Sequence, residues 1–86
     1  MTSFHLKIVT PDGVYYDGQA ESVTVRTITG YIGILAGHID ITTALADGEA
    51  RIVIDGKTRS GNCRSGMLSV QNGKVTLLPA AFCWTE

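Results

Sequence analysis

Cysteine is scarce in this 86-residue sequence: Cys63 and Cys83 are the only two, and they lack the CxxC spacing of metal and redox motifs. A disulfide scaffold needs more cysteines than this, so we expect both side chains to be reduced thiols. An excess of basic charge is also missing, because seven Lys and Arg stand against eight Asp and Glu. Since nucleic-acid-binding surfaces need a basic stripe for the phosphates, we expect no nucleic-acid partner.

Long hydrophobic runs are absent as well. The longest run of aliphatic residues and glycine covers residues 32–37, whereas a helix that spans a bilayer needs ~20 apolar residues. The first five residues contain no Lys, no Arg and no apolar stretch, which argues against a secretory signal or a transit peptide. We therefore expect no direct membrane insertion.

Residues that carry chemistry are few and poorly spaced. His38 and Asp40 would share one face of a strand, but Ser65 lies in Arg64-Ser65-Gly66-Met67, which is not the GxSxG elbow of a hydrolase. Two histidines and two cysteines do not supply the convergent ligands of a metal site. We therefore expect no catalytic residue, no metal and no cofactor.

Turn residues divide the chain into short pieces in which apolar and polar residues alternate. Asp55-Gly56 and Asn72-Gly73 fit two-residue hairpin turns, because these residues adopt positive φ angles readily. Phe4, Leu6 and Ile8 fall on one face of the first piece, as residues i and i+2 of a strand do. No window has a convincing helical stripe. The pattern predicts an all-β domain over residues 1–86, with eight or more short strands in a β-sandwich or flattened barrel.

The segment 31–39 is apolar on both strand faces and is interrupted by Gly33 and Gly37. With Gly30, these glycines are too widely spaced for a phosphate-binding loop, and we expect them at bulges, turns or close backbone approaches. Two interpretations remain open. The segment is either a strand covered on both faces, or a strand and loop that dock a partner, with Tyr31 as an amphipathic anchor.

Several motifs, in order along nearly the whole chain, resemble the N-terminal domain of the epsilon subunit of F-type ATP synthases. The motifs are Phe4-His5-Leu6-Lys7-Ile8-Val9-Thr10-Pro11, Tyr16-Asp17-Gly18, Glu21-Ser22-Val23-Thr24-Val25, Gly30-Tyr31-Ile32-Gly33-Ile34-Leu35-Ala36-Gly37-His38, Leu45-Ala46-Asp47-Gly48-Glu49-Ala50-Arg51-Ile52, Ser65-Gly66-Met67-Leu68-Ser69-Val70 and Asn72-Gly73-Lys74-Val75-Thr76-Leu77-Leu78.

This resemblance implies a ten-stranded sandwich of two sheets that binds the gamma subunit of the central stalk and rests on the ring of c subunits. It implies a non-catalytic role in ATP synthesis, the coupling of ion-driven ring rotation to the stalk, at the cytoplasmic face of a bacterial cell membrane. The alternative is a stand-alone β-sandwich module that binds another protein or a small ligand.

The resemblance also implies two sets of contact residues. The set that faces the c-ring is Thr29, Gly30, Tyr31 and Ile32. The set that faces the gamma subunit is Thr10, His38, Ile41 and Thr43.

The sequence departs from the family pattern at several of its motif positions. Tyr31 stands where an acidic residue is usual, Ala36 replaces a proline, Ile39-Asp40 replaces Ala-Pro, and Met67 replaces a glycine. A tyrosine packs or donates a hydrogen bond where a carboxylate would form an ion pair, so the chemistry of the ring contact is expected to differ here.

Family members with both parts follow the sandwich with an Ala- and Glu-rich pair of helices. This sequence stops at Phe82-Cys83-Trp84-Thr85-Glu86, about where that pair begins, so we expect the C-terminal helical hairpin to be absent. The resemblance places the nucleotide site of some epsilon subunits in the helical part, and we therefore expect no nucleotide binding by this domain alone.

Overall fold

Short alternating segments become strands throughout the computed structural model, which describes residues 3–85. Met1, Thr2 and Glu86, at the ends of the predicted 1–86 domain, lie outside the described residues, so those boundaries stay a prediction. The described residues form ten strands and no helix. The strands are β1 (Phe4–Thr10), β2 (Gly13–Ala20), β3 (Ser22–Thr27), β4 (Gly30–Leu35), β5 (Ile41–Ala44), β6 (Gly48–Ile54), β7 (Lys57–Arg64), β8 (Met67–Gln71), β9 (Lys74–Leu78) and β10 (Ala81–Trp84).

The strands form two five-stranded sheets, which confirms the predicted β-sandwich. The first sheet has the order β2-β1-β9-β8-β5, and the second has the order β10-β7-β6-β3-β4. Neighbouring strands pair antiparallel except β1 and β9, which are parallel. β5 and β4 each lie at one edge of their sheet, and β2 and β10 lie at the opposite edges.

The core lies between the sheets and is filled by alternate residues of the strands, as the period-two pattern predicts. In β1 the side chains of Phe4, Leu6 and Ile8 are buried while the residues between them are partly exposed. In β6 Ile52 is fully buried and Ile54 is half-buried. The other buried hydrophobic residues of the core are Ala20, Val23, Val25, Ile34, Leu45, Ala50, Cys63, Leu68, Val70, Val75, Leu77 and Phe82.

Both predicted two-residue hairpin turns are present. Asp55 and Gly56 have φ angles of 51° and 75°, and Asn72 and Gly73 have φ angles of 50° and 76°. Positive φ at both central residues is the geometry whose twist matches that of the flanking strands. The turns fix the register, so that the buried Leu68 and Val70 of β8 meet the buried Leu77 and Val75 of β9.

An aromatic cluster closes the side of the sandwich formed by β2 and β10. The ring centroids of Phe82 and Trp84 are 4.9 Å apart, and those of Tyr15 and Phe82 are 5.5 Å apart. Arg59 lies over the Trp84 ring at 3.9 Å from its centroid, a cation–π contact. Burial raises the pKa of the nearby Tyr16 phenol, the Asp55 carboxylate raises it further, and Arg59 opposes the shift.

On the opposite side, where β4 and β5 lie, the backbone that follows β5 connects the two sheets. Leu45 donates its N–H to Gly66 O at 2.8 Å, next to β8 of the first sheet. Ala46 donates to Arg26 O at 3.0 Å, and Ile28 donates to Ala44 O at 3.2 Å, so the same segment also pairs with the end of β3 in the second sheet. This segment therefore fixes the β3–β4 turn against the first sheet.

Cys63 and Cys83 are free thiols on adjacent strands, as expected from their number and spacing. Cys63 pairs in register with the buried Phe82 and is itself buried, whereas Cys83 pairs with Asn62 and is exposed. The two side chains therefore lie on opposite faces of the second sheet, an arrangement that does not fit disulfide geometry. Burial raises the pKa of the Cys63 thiol to about 11.

We predict that Gly66→Ala strongly destabilises the protein. Gly66 has a φ of 105°, and a Cβ on it would overlap Leu78 O and Pro79 Cα, which belong to the backbone. We expect a loss of at least ~2 kcal/mol in the free energy of unfolding measured with urea. Gly33→Ala is the control, because a Cβ there meets only Thr24 Oγ1 at 3.9 Å. Equal unfolding free energies for the two variants would contradict this account of Gly66.

We also predict that Cys63 makes stability decline at alkaline pH. The thiol pKa is about 11 in the folded protein against an ordinary value of 9.0, because burial favours the protonated thiol. The contribution of this thiol to the free energy of unfolding is therefore complete below pH 9 and is lost as the pH rises toward 11. The unfolding free energy should fall by roughly 2 kcal/mol more in the unmodified protein than in Cys63→Ala. Cys83→Ala, which removes the exposed thiol, should show the same fall in unfolding free energy as the unmodified protein. Parallel pH profiles for all three proteins would refute the assignment.

Candidate partner-binding site

β4 and the loop after it expose half of their apolar side chains. Tyr31 and Leu35 are each 63% exposed, Ile39 is 77% exposed, and Ile28 in the turn before β4 is 69% exposed. Within β4 only Ile34 is buried. The interpretation of segment 31–39 as a strand covered on both faces is therefore wrong. Ile32 and Ile34 face the core, and the outward side chains of Tyr31 and Leu35 on this edge strand are left available to a partner.

The predicted ring-facing residues are contiguous in the β3–β4 turn and the first half of β4. The side chain of Thr27 holds this turn: its Oγ1 donates to Gly30 O at 2.8 Å and accepts the N–H of Thr29 at 3.2 Å. Thr29, Gly30 and Tyr31 are exposed, and Ile32 is half-buried against the core. The structure therefore presents this set together at one end of the sandwich, and its contact with a ring stays a prediction.

Ile41 and Thr43, two of the predicted gamma-facing residues, lie on the edge strand β5. They pair with Val70 and Leu68, both buried, and so point toward the core while remaining half-buried. Ile41 packs against the core cluster. Only part of each side chain is therefore available to a partner, and the gamma contact stays a prediction.

Thr10, also predicted to face gamma, is not brought together with the β5 residues. It lies at the end of β1, three strand spacings or roughly 14 Å from β5 in the sheet order. The residue is 6% exposed, and its Oγ1 accepts the Asp12 N–H at 3.1 Å. Thr10 lines a shallow cavity of about 340 Å³ with Gly66, Leu78 and five other residues. Its local role is to hold the β1–β2 turn.

His38 is half-buried in the loop that joins β4 to β5. Its backbone N–H donates to Leu35 O at 3.2 Å, and its Nδ1 lies 2.7 Å from Ile39 O. Because a carbonyl oxygen only accepts, the proton of the neutral ring is on Nδ1, and Nε2 is left as an acceptor. The loop therefore presents a fixed imidazole between the two edge strands.

The role of Asp40 was missed by the sequence analysis. Its Oδ1 accepts the N–H of Asn72 at 3.0 Å, which ties the β4–β5 loop to the β8–β9 turn. Asp47 accepts the N–H of Ser65 at 2.9 Å in the same manner. A carboxylate that caps a turn far away in sequence leaves no local motif, since only the strand order brings Asp40 and Asn72 together.

A shallow groove lies beside β4 on the outer face of the second sheet. It has a volume of about 300 Å³ and is lined by Thr24, Tyr31, Glu49 and Arg51. Arg51 Nε donates to Glu49 Oε1 at 3.1 Å, so both charges have a partner within the groove. The groove offers a phenol, a hydroxyl and a neutralised ion pair, which is a surface for packing and hydrogen bonding.

The elements of a hydrolytic triad do not meet among residues 3–85. His38 contacts Ile39 O, the Asp40 carboxylate accepts from Asn72, and Ser65 donates its N–H to Asp47. The same residues contain no group of three or more His, Cys, Asp or Glu placed to hold a metal ion. They also contain no helix that is long and apolar enough to cross a membrane.

The ten strands in two sheets, with exposed apolar side chains along β4, define an all-β sandwich domain. Comparison with known sequences gives its family. Residues 3–85 match the family described as ATP synthase, Delta/Epsilon chain, beta-sandwich domain. The chain belongs to this family. It is 38% identical over 86 residues to the ATP synthase epsilon chain of Caldicellulosiruptor bescii, with 100% of this chain and 63% of the relative covered.

A second relative is the ATP synthase epsilon chain of Bacillus subtilis, 40% identical over 81 residues, with 94% of this chain and 61% of the relative covered. The chain thus spans less than two thirds of the length of these relatives. A chain from the cryo-EM structure of the Euglena gracilis mitochondrial ATP synthase (OSCP/F1/c-ring) shares the fold, with a TM-score of 0.91 and 23% identity. That alignment covers 98% of this chain and 54% of the other.

We predict that Asp40→Ala loosens the β4–β5 loop. The variant removes the acceptor of the Asn72 N–H, and we expect a loss of about 1 kcal/mol in the free energy of unfolding with faster amide exchange at Asn72. Asp12→Ala is the control, since that residue is exposed in the β1–β2 turn and contributes its backbone N–H rather than its carboxylate. Unchanged exchange at Asn72 in Asp40→Ala would show that the carboxylate does not hold this turn.

Proposed function

We propose that this chain is the β-sandwich part of a central-stalk subunit of an F-type ATP synthase. In this role it docks the gamma subunit onto the c-ring and couples ion-driven rotation to ATP synthesis, with no active site of its own. Its place would be the cytoplasmic face of a bacterial cell membrane. The membership of residues 3–85 in the Delta/Epsilon β-sandwich family is the observation that carries the proposal.

The shape of the exposed surface supports the assignment of two contact regions. The β3–β4 turn, with Thr29, Gly30, Tyr31 and Ile32, lies at one end of β4, and His38 follows the other end. A six-residue strand spans about 20 Å. The proposed ring contact and the proposed gamma contact are therefore separated along one strand, as a subunit placed between two partners requires.

A stiff body suits this role. Torque passes through a docking domain only if the domain deforms little under load, and closely packed interiors have low compressibility. The core residues of both sheets are nearly free of solvent exposure, and among residues 3–85 no buried side-chain nitrogen or oxygen lacks a hydrogen-bond partner. The sandwich thus has the packing expected of a rigid coupling element.

The competing function, a stand-alone module for another protein or a small ligand, is not favoured by the family membership. The groove of about 300 Å³ beside Tyr31 is at the small end of ligand sites and its one ion pair is already satisfied. A peptide or carbohydrate that bound there would favour this second function.

Association with a purified gamma subunit tests the proposed function. We expect a complex of the folded 86-residue chain with gamma at micromolar concentrations, measured by calorimetry or analytical ultracentrifugation. His38→Ala should weaken it by at least ~1 kcal/mol if the loop contacts gamma. Thr58→Ala, at an exposed position of β7, is the control and should not change the affinity.

Absence of any complex at tens of micromolar, with the chain folded by circular dichroism, would refute the stalk role. Equal affinities of the unmodified chain and His38→Ala would leave that role standing but remove His38 from the interface.

A further inference from the structure

The β3–β4 turn lacks the residues that select a two-residue hairpin by themselves. Thr27 pairs with Gly30, so Ile28 and Thr29 are the two central residues of the turn. Two-residue hairpins favour positive φ at one or both central residues, and a β-branched side chain makes positive φ costly. Ile28 and Thr29 both have negative φ, whereas the β6–β7 and β8–β9 turns have positive φ at both positions. Local backbone preference therefore does not explain the shape of this turn.

The hydroxyl of Thr27 makes every hydrogen bond that a hydroxyl can make. A hydroxyl has one proton to donate and two lone pairs that accept. Oγ1 of Thr27 donates to Gly30 O at 2.8 Å and accepts the N–H of Thr29 at 3.2 Å. It also lies 3.1 Å from Thr29 Oγ1. Because the proton of Thr27 is given to Gly30 O, the Thr29 hydroxyl is the donor of this third bond.

The interior of the sandwich holds this hydroxyl in place. Thr27 lies at the inward-facing end of β3 and is 4% exposed, while Thr29 and Gly30, which it binds, are exposed. The backbone on both sides of Thr27, at Arg26 and Ile28, is hydrogen-bonded to residues 44–46. Thr27 therefore connects a fixed base to an exposed turn.

No packing of the turn against the rest of the protein replaces these hydrogen bonds. Ile28 is 69% exposed and Tyr31 is 63% exposed. Gly30 between them has a φ of 121°, and a Cβ on it would meet no atom within 4 Å. A short turn without local turn chemistry and without packing depends on side-chain hydrogen bonds for its shape.

We propose that Thr27 is the positioning residue of the proposed ring contact: its hydroxyl sets the path of residues 28–31 and thereby the place where Ile28 and Tyr31 meet the c-ring. This inference rests on the proposed function, since it takes the ring as the partner of the turn. Thr27 is buried, so it acts through Thr29 and Gly30 rather than by touching the ring. A turn that already has its bound path avoids part of the ordering cost of binding.

Amide hydrogen exchange in the free chain tests the intramolecular part. Thr27→Val replaces the hydroxyl by a methyl group, so the Thr29 N–H loses its acceptor and should exchange at least about threefold faster. Thr27→Ala removes the same acceptor with a smaller side chain and should show the same change. Thr27→Ser keeps Oγ and should restore the rate of the unmodified chain. Unchanged exchange in β6, the central strand of the second sheet, shows that each variant is folded.

Thr10→Val is the matched control for this measurement. Thr10 is also a buried threonine at the end of a strand, and its Oγ1 accepts the N–H of Asp12 two residues ahead, as that of Thr27 does with Thr29. The control should speed exchange at Asp12 and leave Thr29 as it is in the unmodified chain. Equal exchange at Thr29 in Thr27→Val and in the unmodified chain would overturn the proposal.

Ring binding tests the functional part. The chain in complex with gamma is titrated with a detergent-purified c-ring, and Thr27→Val should weaken ring binding at least about threefold. Thr27→Ser should bind as the unmodified chain does. Thr58→Val, at an exposed position of β7, is the control and should leave the affinity unchanged. The affinity for gamma alone should be the same in all of these variants, because a positioning residue of the turn affects only the contact that the turn makes.

The outcomes separate this inference from the proposed function. If the unmodified complex does not bind the ring, the ring contact itself fails and the inference falls with it. If the ring is bound equally well by Thr27→Val in spite of faster exchange at Thr29, the ring contact stands and Thr27 does not position it. If Thr27→Val weakens ring and gamma binding alike, its role is general stability, and the proposal is wrong.

Discussion

The structure depends on a short piece of backbone that is hydrogen-bonded to both sheets at once. Leu45 donates to Gly66 beside the first sheet, while Ala44 and Ala46 bond with Ile28 and Arg26 of the second. Side-chain packing alone would let two sheets slide over each other, because the hydrophobic effect is not directional. Backbone hydrogen bonds have defined distances and angles, so this crossing sets where β4 and β5 lie relative to each other.

The two sides of the sandwich are held together by different contacts. As a result, one side is covered by packed aromatic side chains and the other has an uncovered strand edge. Tyr15, Phe82 and Trp84 pack edge to face between β2 and β10, and Arg59 covers the indole. On the other side the crossing backbone occupies only the end of β3, and the length of β4 stays open. A closed barrel would have no edges at all, whereas in this open sandwich β4 pairs only with β3 among residues 3–85.

The fold was largely predictable because its determinants are local. Alternation in Phe4, Leu6 and Ile8 indicates a strand whatever its partner, and Asn72-Gly73 selects its own turn geometry. The placement of Asp40 was not predictable, because its partner Asn72 is 32 residues away. The apolar run 31–39 was ambiguous for the same reason: whether an apolar strand is covered depends on its neighbours in the sheet, which periodicity does not reveal.

The positions of the charged residues connect stability with docking. Carboxylates of Glu21, Asp40 and Asp47 accept backbone N–H groups of turns at 2.8–3.0 Å, so these charges hold turns in place. Residues 27–39 are left without Asp, Glu, Lys or Arg. Contacts made there come from backbone hydrogen bonds and apolar burial, and neither is screened by salt as ion pairs are. A partner that bound along residues 27–39 would therefore be held with an affinity that depends little on ionic strength, because its binding free energy would not come from exposed charge.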